Sequence, residues 1–413
     1  MTTFQTPRGE AMLEVEDAQA RVLAEVRVLQ PESVRFDKAV GRVLREDVFA
    51  LDDAPIADNS AMDGYAVRAE DIASAPVRLR VIGDVPAGRV AQERVERGTA
   101  MRIMTGANVP DGADAVVQVE LTDAGSEVVE IRSAVARGAN IRKRGEDVRA
   151  GALLLAAGTP LGAAEITLLA GIQKTTVQVG RRPTVAILST GDELVDVDEP
   201  RRPGTIVNSN SYALAALVTA AGATPVTYGI VRDTREATIE AFSRAAEECD
   251  FILSSGGVSV GAFDFVKDAL DALGAEAKFW RVAMKPGKPV VLSRLRDRVC
   301  LGLPGNPVSS MVSFHLFVRP ALRKALGQTD GLFPPVVRVR LTAPLRSVGD
   351  RRVYARARVT AVDGELVAQP VTSQSSGALT SMVGANALVM IDRGVTGVEA
   401  GMVLPALLID RIA

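Results

Sequence analysis

Two lysines flank a Pro-Gly turn in the run Met284-Lys285-Pro286-Gly287-Lys288-Pro289, and two constrained ammoniums suit a polyanion. On spacing alone the run reads equally well as a solubilising surface turn. A second run, Ser254-Ser255-Gly256-Gly257-Val258-Ser259-Val260-Gly261, ends an apolar strand pattern and precedes a helical one. Its glycines let backbone N–H groups approach an anion, the helix start adds positive potential, and the serines can donate. Glycine is also common in tight strand-to-helix turns for conformational reasons alone. The run matches neither G-x-G-x-x-G nor G-x-x-x-x-G-K-[ST], so dinucleotide or P-loop binding is not assigned. Glu193, Asp233 and Asp264 follow three different strand-like runs. Carboxylates from separate segments, completed by substrate phosphates, are what a hard cation such as Mg²⁺ takes. Asp233 and Asp264 are equally placed to cap the next helices. Arg142-Lys143-Arg144-Gly145-Glu146-Asp147 reads as an internal ion-pair cluster or as an anion site, and position alone does not separate the two. In Pro304-Gly305-Asn306-Pro307, Asn306 is placed as an N-cap with Pro307 at the first helical position.

The run DNSAMDGYAV, Asp58 to Val67, holds two carboxylates five positions apart. Its front half is turn-forming, and Tyr65, Ala66 and Val67 read as the start of a strand. Asp63 precedes Gly64, where backbone can approach a ligand closely.

What is scarce limits the chemistry. The single histidine, His315, lies in a helical apolar stretch and reads as a packed structural residue. Histidine-based metal sites and Ser-His-Asp triads are therefore excluded. Cys249 and Cys300 sit in apolar strand-like runs without a C-x-x-C, which argues for buried reduced thiols. A net charge of −2 argues against a general nucleic-acid binder. No signal peptide or membrane span is recognisable, and a soluble cytoplasmic protein is expected.

These residues need elements to hold them. A chain of 413 residues exceeds what one core usually serves. Residues 13–29 read as an amphipathic helix, and SVRFDKAVGRVLREDV as a short strand and a helix. Residues 77–135 change to short alternating runs (VRLRVIGDV, TAMRIMTG, DAVVQVEL, EVVEIRSAV), which signals an inserted β domain. Residues 181–327 alternate strands (TVAILS, VTYGIV, FILSS, KFWRVAM, PVVLS, VCLGL) with helical patterns, the last being VSSMVSFHLFVRPALRKAL. That implies a doubly wound, mostly parallel α/β sheet covered on both faces, with ligands beyond the carboxyl ends of its strands. The loops after these strands hold the glycines, lysines and acids named above and are expected to converge on one rim. Residues 334–413 read as a small β-barrel or sandwich.

Seven motifs occur together and in order: DNSAMDGYAV, RIMTGA, NIRKRGEDV, STGDEL, SSGGVSVGAFDFVKDAL, MKPGKPVV and GLPGNPVSS. In them the chain resembles the molybdopterin molybdenumtransferase (MoeA) family, the molybdenum insertases, from near residue 10 to its end. The resemblance implies an N-terminal helix (1–27) packed with the doubly wound domain (181–328), which resembles molybdopterin adenylyltransferase. It implies a small linking domain from 28–56 and 141–180, an inserted β domain at 57–140 and a C-terminal β-barrel-like domain at 334–413. It implies an elongated homodimer with the active site between subunits, and molybdopterin adenylyltransferase and molybdoenzyme maturation proteins as partners. The implied reaction uses molybdate and adenylylated molybdopterin and releases AMP, with Mg²⁺ assisting.

Carried over by motif, the catalytic residues are Asp63, Asp147, Glu193, Asp233, Lys285 and Lys288. Substrate binding falls to Thr105, Arg142, Gly256, Gly257, Ser259, Asp264, Arg281, Pro304, Asn306, Arg356 and Ser376, and the metal ligands are Glu193 and Asp264. Arg281 stands where some members have lysine, which keeps the charge and removes a lysine-specific proton role. Other readings are a non-catalytic scaffold of the same family, and an adenylyltransferase or nucleotide-pyrophosphate hydrolase sharing the middle fold.

Overall fold

A near-continuous apolar strand is economical only when both of its faces are covered. In the computed structural model, which describes residues 12–257, 265–347 and 349–412, this is the state of the central sheet. Its strands are β1 (Thr184–Thr190), β2 (Thr224–Val231), β3 (Phe251–Ser255), β4 (Glu276–Arg281), β5 (Pro289–Leu295) and β6 (Arg298–Leu303), in the order β2-β1-β3-β6-β5-β4. Of these six only β5 runs against the rest. Successive side chains point to opposite faces. Val185 and Ile187 of β1 pack with Val22, Leu214, Val218 and Val312. Ala186 and Leu188 pack with Phe242, Ala245, Val266 and Leu270. The first face is covered by the N-terminal helix Val15–Glu25, the helix Ser209–Ala220 and the long helical run after β6. The second is covered by Arg235–Glu248 and Phe265–Ala272.

The chain divides into two compact units. The first takes the described residues up to Glu46, Ala157–Ile166 and those from Thr175 on. Besides the doubly wound sheet it contains a closed five-stranded barrel of β7 (Val336–Leu341), β8 (Arg352–Val362), β9 (Glu365–Pro370), β10 (Ala387–Ile391) and β11 (Val403–Leu408). The order is β8-β9-β7-β11-β10, and β10 pairs back onto β8. This resolves the barrel-or-sandwich alternative in favour of a barrel. The second unit, Asp47–Ala156 and Thr167–Lys174, is built on a five-stranded sheet. Its strands run 115–118, 64–67, 99–103, 77–85 and 128–131 across the sheet. Residues 28–56 and 141–180, expected as one linking domain, are divided between the two units.

Two expectations change. SVRFDKAVGRVLREDV forms the strand Pro31–Arg35 and one 3₁₀ turn, Phe36–Lys38, with no α-helix after them. Gly41 turns through φ +74°, and Val43 and Leu44 then make bridge contacts with Pro160 and Val179, which commits their backbone elsewhere. The expected single helix after β6 is Pro307–Ser313, a wider π turn at Phe314–Val318, and Arg319–Ala325. Pro320 has no N–H to give the Leu316 carbonyl one turn back, and Gln19 Nε2 donates to that oxygen instead, at 3.2 Å. His315 and both cysteines are buried, as expected. Among the described residues no helix is long and apolar enough to cross a membrane.

Candidate active site

Because β5 is antiparallel, it begins at the edge where the other five strands end. The loops after β1, β2, β3, β4 and β6 therefore share the carboxyl rim, where doubly wound folds bind ligands. Ser259 and Asp264 lie outside the described residues.

The lysine loop between β4 and β5 is not a loose surface turn. Val282, Ala283, Met284, Pro286 and Gly287 are all buried, while Lys285 and Lys288 are exposed. Gly287 sits at φ +104°, and a Cβ there would meet Met284 Cε at 2.8 Å and Ser313 Oγ at 2.9 Å. Backbone bonds close the loop: Val282 N–H donates to Lys288 O at 3.1 Å, and Ala283 N–H to Leu13 O at 2.8 Å. Among the described residues neither lysine has an ion-pair partner, so both charges are available to a bound anion. Arg281 is exposed beside them.

Gly256 and Gly257 both adopt positive φ, +90° and +64°. A Cβ on Gly257 would lie 2.4 Å from Val266 Cγ2, so this turn requires glycine on conformational grounds. The Gly256 N–H donates to Leu303 O at 3.2 Å and is not available to cradle an anion. Around this turn, Thr190 Oγ1 and Asn210 Oδ1 are buried without hydrogen-bond partners among the described residues. Orphaned buried polar atoms at a strand-end rim are what a polar ligand or ordered water satisfies.

The acids are arranged by backbone bonds. Asp192 N–H donates to Asp233 Oδ2 and Asp233 N–H to Asp192 Oδ1, both at 3.2 Å. This clasp joins the loops after β1 and β2. Burial, and then repulsion from Asp192 and Glu193, raise the Asp233 carboxyl above its ordinary value. Asp233 does not cap the next helix, because Thr234 does, accepting from Ala237 N–H.

Asn306 is the N-cap residue by position, yet its side chain does not cap; Nδ2 donates to Ser376 Oγ at 3.0 Å. That bond brings the barrel's Ser376 to the rim. Pro304 is buried and supports the turn. Arg356 is 1% exposed and donates to the Ser373 and Ser375 carbonyls, each at 3.0 Å, so it shapes the loop carrying Ser376 from the outer face of β8, opposite the barrel-core residues Ala355 and Ala357. Two rim residues escaped sequence reading. Asp192 is the silent neighbour of Glu193. Asn210 joins two rim loops by donating from Nδ2 to Ser255 Oγ and to Gly305 O, each at 2.7 Å. The polar run VNSNSY at a helix start was the available signal.

The second unit gathers a separate group. Thr105 donates to Asp63 Oδ1 from its backbone N–H at 2.7 Å and from its hydroxyl at 2.8 Å. These bonds hold the exposed Asp63 carboxyl below its ordinary value. Arg142 pairs in register with Asn59 through the antiparallel strands 59–60 and 141–142, and Gly106 N–H donates to Ser60 O at 2.8 Å. Asp63, Thr105 and Arg142 are thus held by adjoining backbone. The RKRGED run forms the ion-pair cluster that was one of its two readings. Lys143 pairs with Asp58 at 2.7 Å and Arg144 with Asp53 at 2.6 Å. Arg142 has no ion-pair partner among the described residues. Asp147 is exposed, with its N–H donating to Ala54 O at 3.1 Å.

A basic loop without ion-pair partners among the described residues and an acidic clasp thus stand on the rim of a doubly wound α/β domain. Three family descriptions match the chain in succession: "MoeA N-terminal region (domain I and II)" over 13–172, "Probable molybdopterin binding domain" over 186–324, and "MoeA C-terminal region (domain IV)" over 338–409. A molybdopterin molybdenumtransferase of Nostoc sp. is 43% identical over 90% of this chain and 87% of its own length. One of Bacillus subtilis is 37% identical over 96% and 94%. The crystal structure of the molybdopterin biosynthesis moeA protein from Pyrococcus horikoshii OT3 superposes with a TM-score of 0.83 at 31% identity, covering 96% of this chain and all of that one. The chain belongs to the MoeA family, and this membership assigns it to molybdenum cofactor biosynthesis.

Proposed function

We propose that this protein is a molybdopterin molybdenumtransferase that joins molybdenum from molybdate to the dithiolene sulfurs of adenylylated molybdopterin and releases AMP. The observation that carries this reading is the lysine loop, a buried and braced turn whose exposed side chains are two ammoniums without ion-pair partners among the described residues. Such preorganised charge stabilises a tetrahedral oxyanion and the negative charge that develops on a departing phosphate. Gly257, Asn306 and Ser376 line the same rim for the pyrophosphate and pterin parts of the substrate. Asp63, oriented by Thr105, and Asp147 orient or activate the reacting groups, with Arg142 as the accompanying cation.

A divalent cation at this rim would draw on the acids after β1 and β2. Asp233 is already raised by burial and neighbouring negative charge, which a divalent cation relieves. Glu193 would hold the ion, with substrate phosphate oxygens and water completing the shell. Among the described residues no three His, Cys, Asp or Glu side chains group to hold a metal. When bound, the cation would neutralise phosphate charge.

The working form in this reading is a homodimer, with a partner subunit contributing to each site. AMP release from adenylylated molybdopterin in the presence of molybdate tests the assignment. Asp63→Asn and Glu193→Gln should each slow it while remaining folded. Near wild-type rates in both variants overturn the residue roles. Mixing Asp63→Asn with Lys285→Ala subunits should restore part of the activity, because a mixed dimer keeps one intact site; no recovery on subunit exchange argues against a shared site.

A further inference from the structure

We propose that Glu16 and Arg352 are positioning residues for Lys285 and Lys288, acting through a brace that the amino-terminal segment and the barrel form around the lysine loop. The inference rests on the oxyanion role proposed for the two lysines.

The loop is the middle member of a short ladder. On one side, Leu13 N–H donates to Arg281 O at 3.1 Å, and Ala283 N–H donates to Leu13 O at 2.8 Å. On the other, Arg352 N–H donates to Ala283 O at 3.0 Å, and Met284–Lys285 pairs in parallel with Arg352–Val353 at the start of β8. The outer members come from opposite ends of the sequence, and ion pairs fasten them together. Glu16, in the first turn of the N-terminal helix, pairs with the Arg352 guanidinium. Asp392 of the barrel holds the same guanidinium at 3.2 Å. Glu14 reaches Arg393 at 3.0 Å. Arg352 therefore joins three things: its N–H holds the loop, its side chain holds the N-terminal helix, and its strand belongs to the barrel.

The barrel closes through backbone pairing of β8 with β10 from Val353 to Ala357. The two lysines project outward and make no ion pair among the described residues, so backbone rungs and the packing of the intervening residues determine where the ammoniums stand. Releasing the brace lets the Leu13 rung fray and spreads the lysines over more positions. Glu16 is 62% exposed at its side chain and Arg352 23%. The expected effect is accordingly modest, about threefold in anion affinity.

The test uses the full chain and inorganic molybdate as the probe. Hydrogen–deuterium exchange of the 281–288 peptide and equilibrium molybdate binding are measured in Glu16→Gln, Arg352→Gln and the double variant. Arg340→Gln, which breaks the exposed Arg340–Glu365 pair elsewhere on the barrel, is the control for a merely structural loss. The brace predicts faster exchange at 281–288 and about threefold weaker molybdate binding in Glu16→Gln, neither in Arg340→Gln, and a double variant no worse than its worse parent. If Lys285→Ala abolishes binding while Glu16→Gln leaves exchange or affinity unchanged, the brace is overturned and the lysine role stands. If Lys285→Ala and Lys288→Ala both bind molybdate like wild type, the lysine role falls and the positioning claim falls with it.

Discussion

Gly287→Ala tests whether the lysine loop works because it is rigid. The residue has φ +104°, a region that side-chain-bearing residues adopt only under strain. That strain costs about 1–2 kcal/mol, by analogy with other sparsely populated backbone conformations. The new methyl would also meet Met284 Cε at 2.8 Å and Ser313 Oγ at 2.9 Å. Both are side-chain atoms that can give way, but both residues are fully buried, so repacking them adds about 1–2 kcal/mol. The expected loss is about 2–4 kcal/mol for the doubly wound domain. Denaturant unfolding followed through the chain's single tryptophan, Trp280 of β4, reports on that domain. Molybdate affinity should fall at least tenfold in the folded variant, because the loop must shift to admit the methyl. Gly274→Ala is the control: φ is +72° with nothing within 4 Å of the new Cβ, so it carries only the backbone cost of about 1 kcal/mol and leaves molybdate binding alone. A Gly287→Ala protein as stable as Gly274→Ala, with unchanged molybdate affinity, would refute the claim that this loop is sterically locked.

Burial, followed by the nearby Arg319 charge, pushes the His315 imidazolium down to about 4 from 6.5. The unfolded chain therefore binds a proton that the folded chain does not between those values, and stability falls as pH drops from 6.5 to 4, by up to about 3 kcal/mol. His315→Gln should flatten that part of the stability profile measured by denaturant titration. Asp250 accepts from both terminal nitrogens of Arg181, at 3.0 and 2.7 Å, and from Thr184 N–H at 2.9 Å. Despite its burial these contacts hold its carboxyl low, so its contribution is present above the ordinary carboxylate range and is lost as pH falls through the depressed value. Asp250→Asn should cost about 2 kcal/mol at pH 7, discounted because Arg181 is partly exposed, and should unfold less steeply with acid. Thr105→Val removes one of the two donors to Asp63 Oδ1 and should lower kcat/KM roughly tenfold without changing molybdate affinity. A tenfold change in molybdate affinity instead would assign Thr105 to binding.

The doubly wound sheet was legible because its strands are short β-branched runs separated by helical periods, and each is followed by turn residues. The same regularity placed Glu193, Asp233 and Lys285 on one rim before any coordinates. Barrel closure was not legible, because it depends on β8 meeting β10, and pairing between non-adjacent strands leaves no local pattern. The nature of the KPGKP run was undecidable for a similar reason. Its backbone is held by Leu13 and Arg352, which lie far away in the chain. Capping was misread where tertiary bonds outbid it: Asn306 turns to Ser376, and Asp233 turns to Asp192 while Thr234 takes the cap. Arg356 was carried over as a site residue by resemblance, and its buried side chain holds the carbonyls of the loop that carries Ser376.

The central claim is that the paired lysines serve molybdate-dependent cleavage of adenylylated molybdopterin. The most direct measurement is AMP release by the wild-type protein and by the Lys285→Ala, Lys288→Ala double variant, with and without molybdate. The account predicts release by wild type only when molybdate is present, and a rate at least about 100-fold lower in the folded double variant. AMP release that ignores molybdate, synthesis of adenylylated molybdopterin from ATP, or a double variant that keeps the wild-type rate would contradict it.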